Sequence, residues 1–270
     1  MSLEKLKKLV TRNEKIAMLT CYDATFAKLS EAAGIDVLLV GDSLGMVLQG
    51  AENTLSVSMQ DMEYHTTSVA AGVTNSCIMT DMPVGSYEQD KETALLNAKK
   101  LMAAGADIVK IEGGGDIVHI ARHLIDQGIP VCAHLGFTPQ SVVQLGGYRI
   151  QGKTDESAHG IMEDAIEMDK IGVSFVLLEM VPAVLAKQIT ESIKAPTIGI
   201  GAGVDCDGQV LVIQDLLGIY TGPASKKPED FKSPRFTKNF LAEQHSIQAA
   251  IQAYVTEVKN KNFPSAQHSY

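Results

Sequence analysis

Short apolar runs recur along the chain, and most are followed by a longer stretch of mixed polarity that closes on glycine. The runs are Ile16–Thr20, Val37–Val40, Cys77–Thr80, Ile108–Ile111, Val131–His134, Phe175–Leu178, Thr197–Ile200 and Val210–Ile213. They are rich in Val, Ile and Leu and apolar without alternation, as strands covered on both faces are. Between them, Asp23–Ala33 stops at Gly34, Glu88–Ala104 at Gly105, Ile117–Gln127 at Gly128 and Asp155–Ile171 at Gly172, while Ala183–Ile193 runs up to Ala195-Pro196. These read as helices with the expected stop residues. Strands alternating with helices predict a parallel sheet with covering helices. For 270 residues, a closed (β/α)8 TIM barrel fits this count better than an open doubly wound sheet. One domain is expected over 1–270, with the barrel over about 16–225 and a helical extension over about 228–270 that holds one helix, Asn239–Lys259.

The polar residues that end these runs carry the chemistry. Strand two is followed by Gly41-Asp42-Ser43, strand three by Asp81, and strand six by Glu179, while strand five ends at His134. In strand four, Lys110 and Glu112 lie two apart and so point to one side. Five consecutive strands thus deliver ionisable groups at their carboxyl ends, which form the active-site face of such a barrel. Asp42, Asp81 and Glu112 offer hard carboxylate oxygens without the His or Cys clustering that zinc favours, the mark of a Mg²⁺-type site. Lys110 supplies a positive charge for an anionic substrate or neutralises part of the cluster. His134 and Glu179 remain for hydrogen bonding or proton transfer. Together these groups suit removal of a proton next to a carbonyl.

Each residue also has a plainer reading. Asp after a strand often caps the next helix. Lys110 and Glu112 could form a structural ion pair, and His134 a hydrogen-bonded core residue. Glu179 is harder to dismiss, because a carboxylate after four apolar residues is unfavourable to bury unpaired. The coincidence at five consecutive strand ends outweighs the separate alternatives.

Composition narrows the class. With 23 basic and 32 acidic residues the net charge is −9, which argues against nucleic acid or an anionic membrane as partner. No apolar run approaches the roughly 20 residues that span a bilayer, and MSLEKLKKLV lacks the apolar core of a secretory signal. The scattered Cys21, Cys77, Cys132 and Cys206 form no CxxC, so buried thiols in the cytoplasm are expected. Gly113–Gly115 and Gly199–Gly203 read as tight turns rather than a dinucleotide fingerprint. His119 and His123 read as surface residues, and Met59 and Met62 as packing positions. The polar segment Gly50–Ser58 is long enough for a lid or substrate wall.

Eight stretches resemble the ketopantoate hydroxymethyltransferase family in order: MLTCYDATFA (18–27), GDSLGMVLQG (41–50), DMPVGSY (81–87), GADIVKIEGG (105–114), HLGFTPQSV (134–142), LGGYRIQGKT (145–154), LLEMVPA (177–183) and GIGAGVDCDGQVLV (199–212). The resemblance implies Mg²⁺ held by Asp42, Asp81 and Glu112, and an oxo acid, 3-methyl-2-oxobutanoate, held by Asp42, Ser43, Asp81, Lys110 and His134. It makes Glu179 the catalytic proton acceptor. It implies 5,10-methylenetetrahydrofolate as co-substrate, 2-dehydropantoate and tetrahydrofolate as products, a place in pantothenate and coenzyme A synthesis, and a homo-oligomer, often a decamer. The sequence departs from the family pattern at Ala133, where a Gly usually precedes the His, and at Gln214, where many relatives carry a His.

Two other readings compete. The phosphoenolpyruvate mutase and isocitrate lyase group shares the barrel and a metal-held oxo acid, but a lyase of that group would carry a KKCGH-like loop, which this sequence lacks. A barrel kept only for binding or assembly would have no reason to retain Asp42, Asp81, Glu112 and Glu179 together.

Overall fold

The computed structural model describes residues 2–270. Eight parallel strands close into a barrel in chain order: β1 (Ile16–Thr20), β2 (Val37–Val40), β3 (Cys77–Asp81), β4 (Ile108–Glu112), β5 (Val131–Gly136), β6 (Phe175–Glu179), β7 (Thr197–Ile200) and β8 (Gly208–Leu211). Pairing of β1 with β8 completes the ring. The helices are α1 (Leu3–Thr11), α2 (Ala24–Ala32), α3 (Leu44–Val47), α4 (Met59–Ala70), α5 (Lys91–Ala104), α6 (Ile117–Asp126), α7 (Asp155–Ile171), α8 (Ala183–Ser192), α9 (Ile213–Leu216) and α10 (Ile247–Lys259). The fold is a (β/α)8 TIM barrel. The unalternating apolar runs are explained by burial on both sides, since nearly every residue of β1 to β8 is buried.

Sequence and structure part company at identifiable places. The eighth strand begins at Gly208, two residues before the apolar run Val210–Ile213. Gly208 is needed because a Cβ there would lie 2.7 Å from the Ile16 carbonyl oxygen. Gln209 stays in the barrel by donating from Nε2 to the Gly203 carbonyl, at 2.9 Å. Val212 and Ile213 leave the sheet as the Ile213 N–H turns to Thr20 Oγ1 (2.9 Å), opening α9. The helix expected over Asn239–Lys259 starts at Ile247, where Ser246 accepts from the Ala249 N–H. Asn239 instead caps a separate short turn at Leu241 and Ala242. Besides the four-residue α3 and α9, two longer helices lack a counterpart in the apolar pattern. One is α1, capped by Ser2; the other is α4, opened by a capping box between Ser58 and Asp61. Within α4, Met62 is fully buried while Met59 packs against the core.

The helix α10 closes the N-terminal flank of the sheet. Its Tyr254 hydroxyl lies 2.9 Å from the Met18 carbonyl and 2.8 Å from that of Gln209, reaching the backbone of both β1 and β8. All four cysteines are buried and free. Among the described residues, no helix is long and apolar enough to cross a membrane.

Candidate active site

Strand register brings the polar residues together. Asp81 of β3 pairs with Lys110 of β4, Glu112 of β4 with His134 of β5, and Gly136 of β5 with Glu179 of β6. Asp81 and Lys110, and Glu112 and His134, are therefore lateral neighbours, while Glu179 lies beside Gly136. The last pairing depends on glycine: Gly136 has φ +90°, and a Cβ there would sit 2.4 Å from the Glu179 carbonyl oxygen. That carbonyl accepts the Phe137 N–H at 2.8 Å, which fixes the backbone that carries the Glu179 side chain.

Asp42, Ser43, Asp81, Lys110, Glu112, His134 and Glu179 all line one cavity. Asp42, Asp81, Lys110, Glu112 and His134 are each no more than 5% exposed, whereas the Glu179 side chain keeps 13%. The Lys110 ammonium lies 3.1 Å from Asp81 Oδ1 and 3.4 Å from Glu112 Oε1. Burial opposes its charge, but Asp81, Glu112 and Asp42 outweigh that and hold its pKa well above the ordinary lysine value. Burial likewise opposes the Glu112 carboxylate, but Lys110 and His134 take its pKa down to about 2.

His134 links this network to Glu179. Its Nδ1 lies 3.0 Å from Glu112 Oε1, and its Nε2 lies 3.4 Å from Glu179 Oε2, an ion-pair contact without hydrogen-bond alignment. Burial and Lys110 disfavour the imidazolium. The Glu112 charge, with contacts to Glu112 and Glu179, outweighs them and raises the pKa to about 9. His134 thus bridges two carboxylates, with its Nδ1 also 3.1 Å from the Lys110 Nζ.

Two groups outside the expected set hold the network in place. Gln140 Nε2 donates to Asp42 Oδ2 and to the Met82 carbonyl, both at 2.9 Å, and the Gln140 N–H donates to Glu112 Oε2 at 3.0 Å. Tyr87 donates from its hydroxyl to Gln140 Oε1 at 2.7 Å and accepts the Glu112 N–H at 3.0 Å. Both lie within resembling stretches, but neither stands at a strand end, so the terminator pattern passes them over. Tyr22 Oη is 3.0 Å from Ser43 Oγ and orients that hydroxyl.

The acidic trio divides. Asp42 donates its backbone N–H to Asp81 Oδ2 at 3.0 Å, which sets these two carboxylates side by side. Glu112 has both oxygens engaged, Oε1 by Lys110 and His134 and Oε2 by the Gln140 N–H. Among the described residues, no three His, Cys, Asp or Glu side chains converge with ligand geometry. Asp42, by contrast, has its pKa raised well above the usual aspartate value by burial, then by the Asp81 and Glu112 charges. A pair of hard oxygens in an electron-rich pocket, with substrate and water completing the shell, is the donor set that Mg²⁺ takes.

The remaining motifs settle elsewhere. Glu52 and Thr54, from the polar segment after β2, form part of the cavity wall. Gly115 donates its N–H to Asp164 on α7 at 3.1 Å, outside the cavity. His119 is exposed on α6, whereas His123 is half-buried and 4.0 Å from Glu92.

The family model for ketopantoate hydroxymethyltransferase matches residues 1–266. The chain belongs to this family. The 3-methyl-2-oxobutanoate hydroxymethyltransferase of Neisseria meningitidis is 54% identical over 265 residues, covering 98% of this chain and 97% of the relative. That of Azoarcus sp. is 52% identical over 270 residues, covering 100% of this chain and 96% of the relative. As a family member the chain is an enzyme, a hydroxymethyl transferase. Among solved structures, a phosphonopyruvate hydrolase complexed with oxalate and Mg²⁺ superimposes with a TM-score of 0.60 at 10% identity, covering 78% of this chain and 81% of that one. The phosphoenolpyruvate phosphomutase of Streptomyces platensis gives 0.60 at 13%, covering 80% and 82%. At these identities the likeness shows the barrel fold alone.

Proposed function

We propose that this enzyme transfers a hydroxymethyl group from 5,10-methylenetetrahydrofolate to 3-methyl-2-oxobutanoate, giving 2-dehydropantoate and tetrahydrofolate for pantothenate and coenzyme A synthesis. The observation that carries the reading is the chain of contacts from Lys110 through Glu112 and His134 to Glu179 in one cavity, in a chain half identical to relatives of that name.

Asp42 and Asp81 would hold Mg²⁺, with Glu112 behind them as the group that fixes Lys110 and His134. When bound, the metal supplies Lewis-acid stabilisation of negative charge developing on the keto oxygen. Lys110, kept charged, offers its field to the anionic substrate, and Ser43, oriented by Tyr22, offers a hydroxyl. Glu179 takes the C3 proton as general base. His134 holds the Glu179 carboxylate in place from one side. The resulting carbon nucleophile bonds to the one-carbon unit, whose two bonds to folate nitrogens break. A water supplies the hydroxyl oxygen of 2-dehydropantoate, and one water proton together with the C3 proton taken by Glu179 goes to those nitrogens. The four buried free thiols support a cytoplasmic, reducing setting. Assembly as a homo-oligomer draws support from exposed apolar side chains such as Tyr64, Leu96 and Val184.

The test is proton NMR of 3-methyl-2-oxobutanoate with the enzyme in D₂O, with Mg²⁺ and with chelator, followed by methylenetetrahydrofolate. Mg²⁺-dependent loss of the C3 signal is expected, with 2-dehydropantoate after folate addition. The Glu179→Gln variant should slow the exchange at least ~10³-fold, removing general-base catalysis, while still binding Mg²⁺ and the oxo acid. Wild-type exchange in that variant would displace Glu179 as base. Absence of both exchange and product in the wild type would overturn the reading.

A further inference from the structure

The cavity has a second part that a small oxo acid does not fill. Its volume is about 590 Å³, the size that encloses a drug-sized ligand. Away from Lys110 and Glu179 its walls come from β8, α9, the segment 220–236 and Tyr270. Four rings face it there: Tyr220, Phe231, Phe236 and Tyr270. Among them stands the carboxylate of Asp215, on α9. The Asp215 side chain is half-buried and opens on the cavity. Among the described residues it has no hydrogen-bond or ion-pair partner, unlike the carboxylates of the strand ends. The other carboxylates on this side, Glu52 and Asp230, are exposed.

A half-buried carboxylate with no partner in the chain relies on cavity water, which a ligand with matching donors can replace. We propose that Asp215 is the docking carboxylate for the pterin of the folate co-substrate, accepting its N3–H and 2-amino N–H as a bidentate pair. This rests on the folate-dependent reading given above. A pterin is a flat heteroaromatic, suited to walls made of aromatic rings. One edge of it presents two neighbouring N–H donors, the pattern that a carboxylate accepts through both oxygens. Burial pushes the Asp215 pKa up to about 6, which leaves it anionic and accepting at neutral pH. At the exposed rim of the same cavity stand Lys226 and Lys232, opposite in charge to the glutamate tail of a folate. With the pterin at Asp215 and the tail at the rim, the one-carbon unit between them is directed toward the oxo acid.

The experiment is calorimetric titration of the full-length enzyme, with Mg²⁺ and 3-methyl-2-oxobutanoate present. The titrants are tetrahydrofolate and an analogue lacking the 2-amino group. The wild type should prefer tetrahydrofolate. Asp215→Asn should weaken tetrahydrofolate roughly 30- to 100-fold, the loss of a charge-assisted pair, and the analogue, which keeps only N3–H, by about tenfold or less. Thermal unfolding confirms that the variant is folded. The assignment is overturned if the variant binds tetrahydrofolate like the wild type, if it loses both ligands equally, or if the wild type binds neither. C3 exchange by the wild type separates the two readings. Exchange with an indifferent Asp215→Asn removes only the pterin site, whereas no exchange and no product removes the transferase reading beneath it.

Discussion

Burial pushes up the pKa of two carboxylates in one cavity, yet they end on opposite sides of their ordinary values. Glu112 is buried at the ends of β4 and β5, yet the Lys110 and His134 charges take its pKa down to about 2. Asp215, on the β8 side, is half-buried, and burial alone takes its pKa up to about 6. Around Glu112, Gln140 and Tyr87 complete a network in which both carboxylate oxygens have partners. Near Asp215, the Gln214 Oε1 and Tyr220 hydroxyl are buried without partners. The lesson is one of preorganisation. Glu112 has both oxygens paired before any substrate arrives, while the Asp215 carboxylate has no partner in the chain and is left for a ligand to complete.

The largest effect should come from removing the cation of the satisfied region. Lys110→Met leaves Asp81 and Glu112 buried without their shared ammonium, a change worth about 3–5 kcal/mol of stability. Without that ammonium, the folded pKa of Asp81, already raised by burial, should rise further, and that of Glu112 should rise from its lowered value. Stability of the variant is then retained at low pH and lost as pH rises. Denaturant unfolding at pH 5 and pH 8 checks this: the variant should lose far more than the wild type at the higher pH. Equal losses at both would mean that Lys110 acts through packing rather than charge.

A smaller effect is expected from Gln140→Ala. Its side chain ties Asp42 to the Met82 carbonyl and to Tyr87, so the network should loosen without losing a charge. Outer hydrogen bonds of this kind are worth about 10- to 100-fold in metal affinity or activity. The Mg²⁺ concentration that gives half-maximal C3 exchange should rise by that factor, with the maximal rate less affected. An unchanged Mg²⁺ dependence would place Asp42 outside metal binding.

The sequence exposed the satisfied region well and the other poorly, for a physical reason. Asp42, Asp81, Lys110, Glu112, His134 and Glu179 follow or end apolar runs, and a charge at the end of a buried strand contrasts with everything before it. The barrel was legible from the same runs. Gln140 lies in a single 3-10 turn, Pro139–Ser141, and Tyr87 in a loop, where polar and aromatic residues are ordinary. Asp215 stands among Ile213, Gln214 and Leu216 on a four-residue helix, where its position in the cavity depends on β8 leaving the sheet two residues earlier than its apolar run does. The division of the acidic trio was also hidden, because one-dimensional spacing places Glu112 on the correct side of β4 but does not show that Lys110, His134 and Gln140 consume its oxygens. The helix α4 escaped because its buried stripe is only Met62, Thr66 and Val69, too mixed in polarity to mark a helical period.

The contrast between the two carboxylates can be sharpened by stability alone, with no ligand present. Asp215 has a folded pKa of about 6 against an ordinary value of 3.8. A carboxylate with a raised folded pKa penalises the folded state only once it ionises there. The penalty is therefore absent below about pH 3.8, builds as pH rises to about 6, and is full above that. Asp215→Asn should remove it. The variant should match the wild type near pH 3.5 and exceed it at pH 7.5 by about 1–2 kcal/mol, discounted for partial solvent contact, which shifts Tm upward by a few degrees. Glu112→Gln should do the reverse at pH 7.5, because its lowered pKa contributes stability above the usual glutamate range that is lost only as pH falls toward about 2. Differential scanning calorimetry of both variants at the two pH values reads the difference directly. If Asp215→Asn were less stable than the wild type at pH 7.5, its carboxylate would have a partner within the protein, and the view of the β8 side as a region awaiting a ligand would fail.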